Sequence, residues 1–187
     1  MRFTFEPVTH ADFAQLSRWR GEPHVERWWP GPHDLGSIET EYRPLVDGSD
    51  ATKAFICRLD DRPIGYVQSY RLTDEPAWRA TIGAAIGEDA AVGIDYFICE
   101  ADLIGRGVGS TMIEAFVATV WRVYDDVPSV VVAVQQENAA SWRALERAGF
   151  ARVWQGRLDT DDPSDQGPAY LYRMDRIVTN EACARAT

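Results

Sequence analysis

The sequence predicts an α/β protein in which a mixed central sheet is flanked by helices on both sides. Three observations lead there. Strand-like and helix-like periodicities alternate from the first residues to a hairpin near the end. The stretch "PSVVVAVQ" (128–135) lacks polar alternation, as a strand buried on both faces does. No repeat or linker divides the 187 residues, of which 45% are hydrophobic and 26% charged, so one globular domain is expected.

The elements follow in order. "MRFTFEPV" sets Phe3 and Phe5 among polar neighbours and reads as a strand. Thr9 can cap a helix that repeats Phe13, Leu16 and Trp19 at three-residue spacing. "WWPGPHDLGS" is a loop rich in Pro and Gly, and "IETEYRPLV" a short helix with Pro44 at an awkward point. "KAFICRLDDRPIGYVQSYRL" reads as a hairpin turning at "DDRP". "TDEPAWRATIGAAIGEDAA" (73–91) reads as irregular chain, and "VGIDYFICE" (92–100) as a buried strand. Gly105 to Gly109 opens a helix with Met112, Phe116, Val120 and Tyr124 on one face. "ENAASWRALERAGF" is a further helix, closed by Gly149 in a left-handed cap. "ARVWQGRLDT" and "AYLYRMDRI" form a last hairpin around the polar insert "DDPSDQGP". Residues 1–178 are expected to form the domain and 179–187 a flexible tail.

The net charge is −10, and Lys53 is the only lysine. Such a surface repels nucleic acid and anionic membranes and suits a cationic partner, or simply keeps the protein soluble. Cys57, Cys99 and Cys183 lie far apart without a CxxC pair, which argues against a disulfide framework and a zinc site. No signal-peptide core and no membrane-spanning apolar run is visible, so a cytoplasmic protein without a metal is expected.

"LIGRGVGSTM" (103–112) is the first motif with chemistry in it. A Walker loop would need a lysine before its Ser or Thr, and none is present. A dinucleotide fingerprint is not completed either: from Gly107 its last glycine would fall on Met112. What remains is a strand, a glycine turn and a helix. The turn's amides, with the helix N-terminus behind them, can grip a pyrophosphate. Glycine permits close approach and positive φ. A structural turn without a ligand is the other reading.

A second stretch makes the pattern specific. Asn138-Ala-Ala-Ser141 opens a helix that closes in Glu146-Arg-Ala-Gly149-Phe150. Together the two stretches resemble the GNAT acetyltransferases. Their first motif, [Q/R]xxGxG/A, is met by Ile104-Gly-Arg-Gly107-Val-Gly109 except at its first position. The resemblance covers about residues 3–177. Five stretches are similar to one branch, the aminoglycoside 6′-N-acetyltransferases: "HVERWWPG" (24–31), "EYRPLV" (41–46), "RPIGYVQSY" (62–70), "VGIDYFI" (92–98) and "GPAYLY" (167–172). The set is shared in part with acetyltransferases of siderophore assembly, which act on a hydroxylated lysine side chain.

The resemblance implies a GNAT acyl-CoA N-acyltransferase fold, acetyl-CoA as co-substrate, and direct acetyl transfer to an amine in a ternary complex. It points first to the 6′-amine of an aminoglycoside. Asp95 matches the branch's "GID" aspartate and is the expected catalytic base. An ordinary Asp, with a pKa of about 3.9, is a weak base, so it would orient water or the amine, or act with a pKa raised by burial. The backbone of Tyr96, Phe97 and Ile98 is expected along the pantetheine arm. Gly105, Arg106, Gly107, Val108, Gly109 and Ser110 are expected at the pyrophosphate, and Asn138 at the pantetheine or loop. A polycationic sugar calls for carboxylates and flat surfaces. The expected substrate-binding residues are Trp29, Tyr42, Gln68, Tyr70, Asp74, Glu75, Trp78 and Asp165, with Asp95. The partner is then a small cationic amine, not nucleic acid or membrane, and the chain a monomer or homodimer.

Three positions depart from the family pattern. A tyrosine that protonates the departing thiolate often follows the asparagine by seven residues; Leu145 stands there, leaving Tyr96, Tyr170, Tyr172 or unaided departure. The aspartate before that helix is missing, with Glu137 the only acid nearby, and the aspartate before the late Gly-Pro-Ala is Gln166 beside Asp165. An altered aminoglycoside spectrum, another amine or peptide acceptor, and a non-catalytic coenzyme A-binding module therefore stand as alternatives.

Overall fold

The computed structural model describes residues 1–88 and 90–177. The expected tail at 179–187 and Cys183 lie outside the described residues. Strand β1 spans Phe3–Pro7. Thr9 then closes a 3-10 turn with Asp12, whose carboxylate accepts from the Thr9 amide and hydroxyl, both at 2.8 Å. Helix α1 (Phe13–Arg20) follows and buries Phe13, Leu16 and Trp19 as their spacing predicts. One turn of helix, α2 (Pro23–Glu26), precedes the Pro- and Gly-rich loop. Helix α3 (Leu35–Asp47) starts earlier than its apolar pattern suggests, because Asp34 caps it: its carboxylate accepts from the Ser37 amide at 3.1 Å. Pro44 lies inside α3, where the Thr40 carbonyl it leaves unpaired belongs to an exposed residue.

Strands β2 (Lys53–Leu59) and β3 (Arg62–Arg71) form the expected hairpin. Its two turn residues are Asp60 and Asp61, at φ 47° and 70°. Positive φ at both turn positions matches the right-handed twist of the strands. Residues 76–86 correct the expectation of irregular chain: they are helix α4 (Pro76–Ile86). The punctuation residues are compatible with it. Pro76 stands in the first turn, where no N–H is needed, and Gly87 closes the helix at φ 69°. Buried Ile82 docks it on the sheet.

Strand β4 (Val92–Ile98), helix α5 (Val108–Val123), strand β5 (Ser129–Gln135) and helix α6 (Ala139–Arg147) follow the expected order. Asn138 caps α6 through Ser141, and Gly149 adopts φ 93° after it. Strands β6 (Ala151–Arg157) and β7 (Pro168–Asp175) close the chain as an antiparallel hairpin.

Among the described residues the sheet has seven strands in the order β1-β2-β3-β4-β5-β7-β6. Every neighbouring pair is antiparallel except β4 and β5. That parallel pairing holds only at Val92–Val130 and Gly93–Val131; beyond it the two strands part. Val130, Val132 and Val134 pack with α5 and α6, while Val131 and Ala133 pack with α4 on the other face. Both faces of β5 are thus covered, as its unbroken apolar run predicts. Helices α1 and α3 cover β2, β3 and β4 on the α4 side.

Gly65 on β3 marks the closest approach within the sheet. A Cβ there would drive into the carbonyl oxygen of Phe97 on β4. Gly65→Ala is expected to cost about 2–3 kcal/mol of stability, read as a lower urea midpoint with an unchanged slope. An unchanged midpoint would mean that β3 and β4 can separate there at little cost.

Candidate active site

Where β4 leaves β5 a cleft opens, about 1820 Å³ in volume. The glycine turn lies at one end; α4 and the insert around 161–165 lie at the other.

The first end is built from the start of α5. Gly105 and Gly107 adopt φ 78° and 81°, with open space where a Cβ would stand. Gly107 is the residue before α5, and no side chain caps the helix. Its first amides have no partner within the helix, which is the arrangement that binds an anion. Gly105, Gly107, Gly109 and Ser110 line the cleft. The Ser110 hydroxyl is spent on the Gly107 carbonyl at 2.9 Å. Two expectations are corrected here. The Val108 side chain is 4% exposed and packs in the core, so it offers its amide alone. Arg106 is exposed but does not line the cleft. Arg143 and Arg147 of α6 do line it, and sequence reading missed them. A basic pair four residues apart on an amphipathic helix was the available signal.

The β4 backbone divides its groups between the two sides. Cys99 N–H donates to the Ile64 carbonyl at 2.9 Å. With the register of β3 and β4, antiparallel alternation then turns the amide and carbonyl of Phe97 toward β3. Phe97 therefore has no backbone group for a pantetheine arm, contrary to expectation. Tyr96 and Ile98 present theirs to the gap, and His24 Nε2 lies 3.1 Å from the Ile98 carbonyl. Asn138 also lines the cleft. The buried Cys57 and Cys99 thiols are pushed up, Cys57 to about 12, which leaves them unreactive.

The other end rests on a row of alternating side chains. Tyr66, Gln68 and Tyr70 of β3 stand opposite Phe97, Asp95 and Gly93 of β4. Gln68 Nε2 donates to Asp95 Oδ2 at 2.8 Å, and the Tyr66 hydroxyl donates to Gln68 Oε1 at 2.7 Å. Tyr70 lies over Gly93, where any Cβ would collide with its ring. Burial pushes the Tyr70 phenol well above its ordinary range, and the charges of Asp95 and Asp165 add to this. Burial pushes the Asp95 carboxyl up to about 6; the Gln68 bond opposes this, and the charge of Asp162 adds to it. Asp165 is pushed up to about 7 by burial and by the charges of Asp95 and Asp162. Glu75 is also raised, by burial and then by Asp50 and Asp74. Among the described residues none of Glu75, Asp95, Asp162 and Asp165 is in an ion pair. Nor do described residues form a cluster that could hold a metal ion.

Aromatic walls complete this end. Trp29 packs edge-on against Tyr66 and Phe97, with ring centroids 5.8 and 5.4 Å away. Thr81 Oγ1 donates to the Asp159 carbonyl at 2.7 Å, tying α4 to the segment before the late insert. Trp29, Gln68, Tyr70, Glu75, Trp78 and Asp165 all line the cleft with Asp95. Two expected residues do not. Tyr42 is 1% exposed, accepts from Arg20 Nη1 at 3.1 Å and packs edge-on against Tyr66, so it is core behind the cleft wall. Asp74 is exposed on the 3-10 turn Leu72–Asp74, outside the lining. Sequence reading also missed Tyr66 and Asp162. The two-residue period of Tyr66, Gln68 and Tyr70 would have found the first; an Asp before Pro-Ser, a turn cap, the second.

Comparison with known proteins decides the family. The family model of the acetyltransferase (GNAT) domain matches residues 8–158. The chain belongs to the GNAT acetyltransferases. This GNAT acetyltransferase is 28% identical over 175 residues to the aminoglycoside N(6′)-acetyltransferase type 1 of Klebsiella pneumoniae, a match covering 89% of this chain and 79% of the relative. The same figures hold for the protein of that name from Serratia marcescens. Among solved structures it is similar to the aminoglycoside acetyltransferase AAC(6′)-Ib in complex with coenzyme A, with a TM-score of 0.75 and 25% identity over 94% of this chain and 95% of that one. The complex of AAC(6′)-Ib with coenzyme A and kanamycin gives a TM-score of 0.75 and 26% identity over the same shares. No helix among the described residues is long and apolar enough to cross a membrane.

In the GNAT acetyltransferase the Gln68 contact can be tested without a substrate. Followed by carbon NMR, the Asp95 carboxyl is expected to titrate near 6. Gln68→Leu removes a bond to the charged form, so the midpoint moves to higher pH. A midpoint that stays or falls would show that Gln68 does not hold the carboxylate.

Proposed function

We propose that the chain transfers the acetyl group of acetyl-CoA to the 6′-amine of an aminoglycoside, with donor and acceptor bound together. The observation that carries this is the polarity of one cleft. One end offers uncapped amides and the arginines of α6; the other gathers four carboxylates without cationic partners among the described residues. A phosphate-bearing donor fits only the first end, and a polyammonium acceptor only the second. The names of the relatives support the same pairing.

Acetyl-CoA supplies a thioester carbonyl open to attack. The start of α5 would hold its pyrophosphate, and the gap-facing groups of Tyr96 with the Ile98 amide its pantetheine. Asp95, ionised above about 6, takes the proton of the attacking amine directly or through water. Gln68 and Tyr66 fix the carboxylate, while Trp29, Tyr70 and Trp78 supply flat surfaces for sugar rings. Glu137 does not replace the aspartate that the family pattern has before α6: its side chain is 80% exposed and lies 3.8 Å from Arg27. Asp162 and Asp165 of the late insert collect the acceptor's other ammonium groups instead.

Purified protein is to be given acetyl-CoA, a thiol-detecting dye and a panel of amines. Thiol release is expected with kanamycin-type 6′-amino aminoglycosides and not with 6′-hydroxy analogues. Release with lysine derivatives alone would overturn the acceptor assignment; acetyl-CoA binding with no release on any amine would make the chain a binding module. The rate should rise with pH through about 6, as Asp95 loses its proton. Asp95→Asn should lower kcat at least about tenfold while acetyl-CoA affinity changes little. An unchanged rate removes Asp95 from the chemistry.

A further inference from the structure

Successive residues of a strand point to opposite faces. Asp95 and Tyr96 are successive on β4, and both line the cleft. Asp95 faces the α4 side, with Gln68 and Tyr70. Tyr96 faces α5 and α6, where its hydroxyl lies 2.9 Å from the hydroxyl of Ser141 on the first turn of α6. Three observations single out this phenol. Leu145, also on α6, is fully buried in the core and carries no proton. Tyr172 is equally buried, and its hydroxyl donates to Glu146 Oε1 at 2.9 Å. Tyr170 packs against Trp142 and under the Arg152 guanidinium, 4.2 Å from its ring centre, and does not line the cleft.

We infer that Tyr96, backed by Ser141, is the acid that protonates the departing thiolate, so that base and acid are adjacent residues acting through opposite faces of one strand. The inference rests on the acetyl-CoA reading above. In the step, the amine nitrogen bonds to the acetyl carbon and gives its proton to Asp95. The carbon–sulfur bond breaks with its electron pair on sulfur, and the Tyr96 hydroxyl proton passes to that sulfur. The tyrosinate regains a proton from solvent through the Ser141 hydroxyl, and Asp95 releases to solvent the proton it took, so the cycle closes. Burial raises the Tyr96 pKa, Ser141 lowers it, and the charges of Asp95 and Tyr172 raise it; the phenol is therefore protonated when the carbon–sulfur bond breaks.

The deciding readout uses the product complex, so it does not depend on the acceptor. Coenzyme A is added to the protein, binding is measured by calorimetry, and the bound thiol is titrated through thiolate absorbance. A phenol donating to the thiolate favours the charged form. In Tyr96→Phe the bound thiol should therefore titrate at higher pH than in the wild type, with coenzyme A affinity within about twofold and kcat on the best amine lowered about a hundredfold. If the phenylalanine variant melts early, 3,5-difluorotyrosine at 96 keeps the ring and strengthens the donor, and the thiol should titrate at lower pH. A thiol midpoint unmoved in both proteins would overturn the assignment. Failure of coenzyme A to bind the wild type would instead overturn the donor reading, and binding without turnover on any amine the acceptor reading.

Discussion

The two-position contact between β4 and β5 is the constraint on which the rest depends. Along its other edge β4 is paired with β3 from Val92 to Ile98, and β5 is paired with β7 from Ser129 to Gln135. The sheet is therefore two well-laddered halves joined at Val92–Val130 and Gly93–Val131. Past that joint, backbone groups of β4 are left without a strand to satisfy them, and buried backbone groups demand partners. Helices α5 and α6 bridge the halves from one side. They approach closely because Gly109 meets Ala144; even a methyl on Gly109 would stand 3.6 Å from the Ala144 Cβ. That closeness sets the glycine turn and the start of α6 on the same rim of the gap.

Rigidity at the carboxylate-lined end comes from behind the cleft rather than within it. Tyr66 is fully buried, stacked on Phe97 at 5.5 Å and wedged edge-on by Tyr42 and Trp29. Its hydroxyl sets the Gln68 amide, and the amide sets one oxygen of Asp95. A residue such as Tyr42, which touches no ligand, thus still belongs to the construction of the site through two intermediaries.

Much of this was legible in the sequence. Alternation and helical period placed the strands and four of the helices, and the glycine turn and Asn138 lie on the lining of one cleft. What could not be read was what depends on pairing across distance. The irregular reading of residues 76–86 failed because Pro76, Gly83 and Gly87 look like breakers one at a time, whereas their positions suit a helix docked by Ile82. Tyr42 looked like a sugar platform because aromatic character does not reveal which way a ring faces. Phe97 looked available because a sequence does not say which strand neighbour takes its hydrogen bonds. Asp162 matters only because the hairpin brings it near Asp95, some seventy positions earlier in the chain.

The crowding of Asp95, Asp165 and Asp162 makes this end of the cleft a proton reservoir. With carboxyls near 6 and 7, part of the population carries protons at neutral pH that ordinary aspartates, near 3.8, would have lost. The sign for stability follows: these groups favour the folded chain most below the ordinary carboxylate range, and that contribution is lost as pH rises through about 6 and 7. A polyammonium guest reverses the balance, since its charge favours the ionised carboxylates. On the proposed function its arrival would expel protons into the solvent, so the heat of association would depend on the buffer that receives them, and affinity would climb with alkalinity until the reservoir is drained.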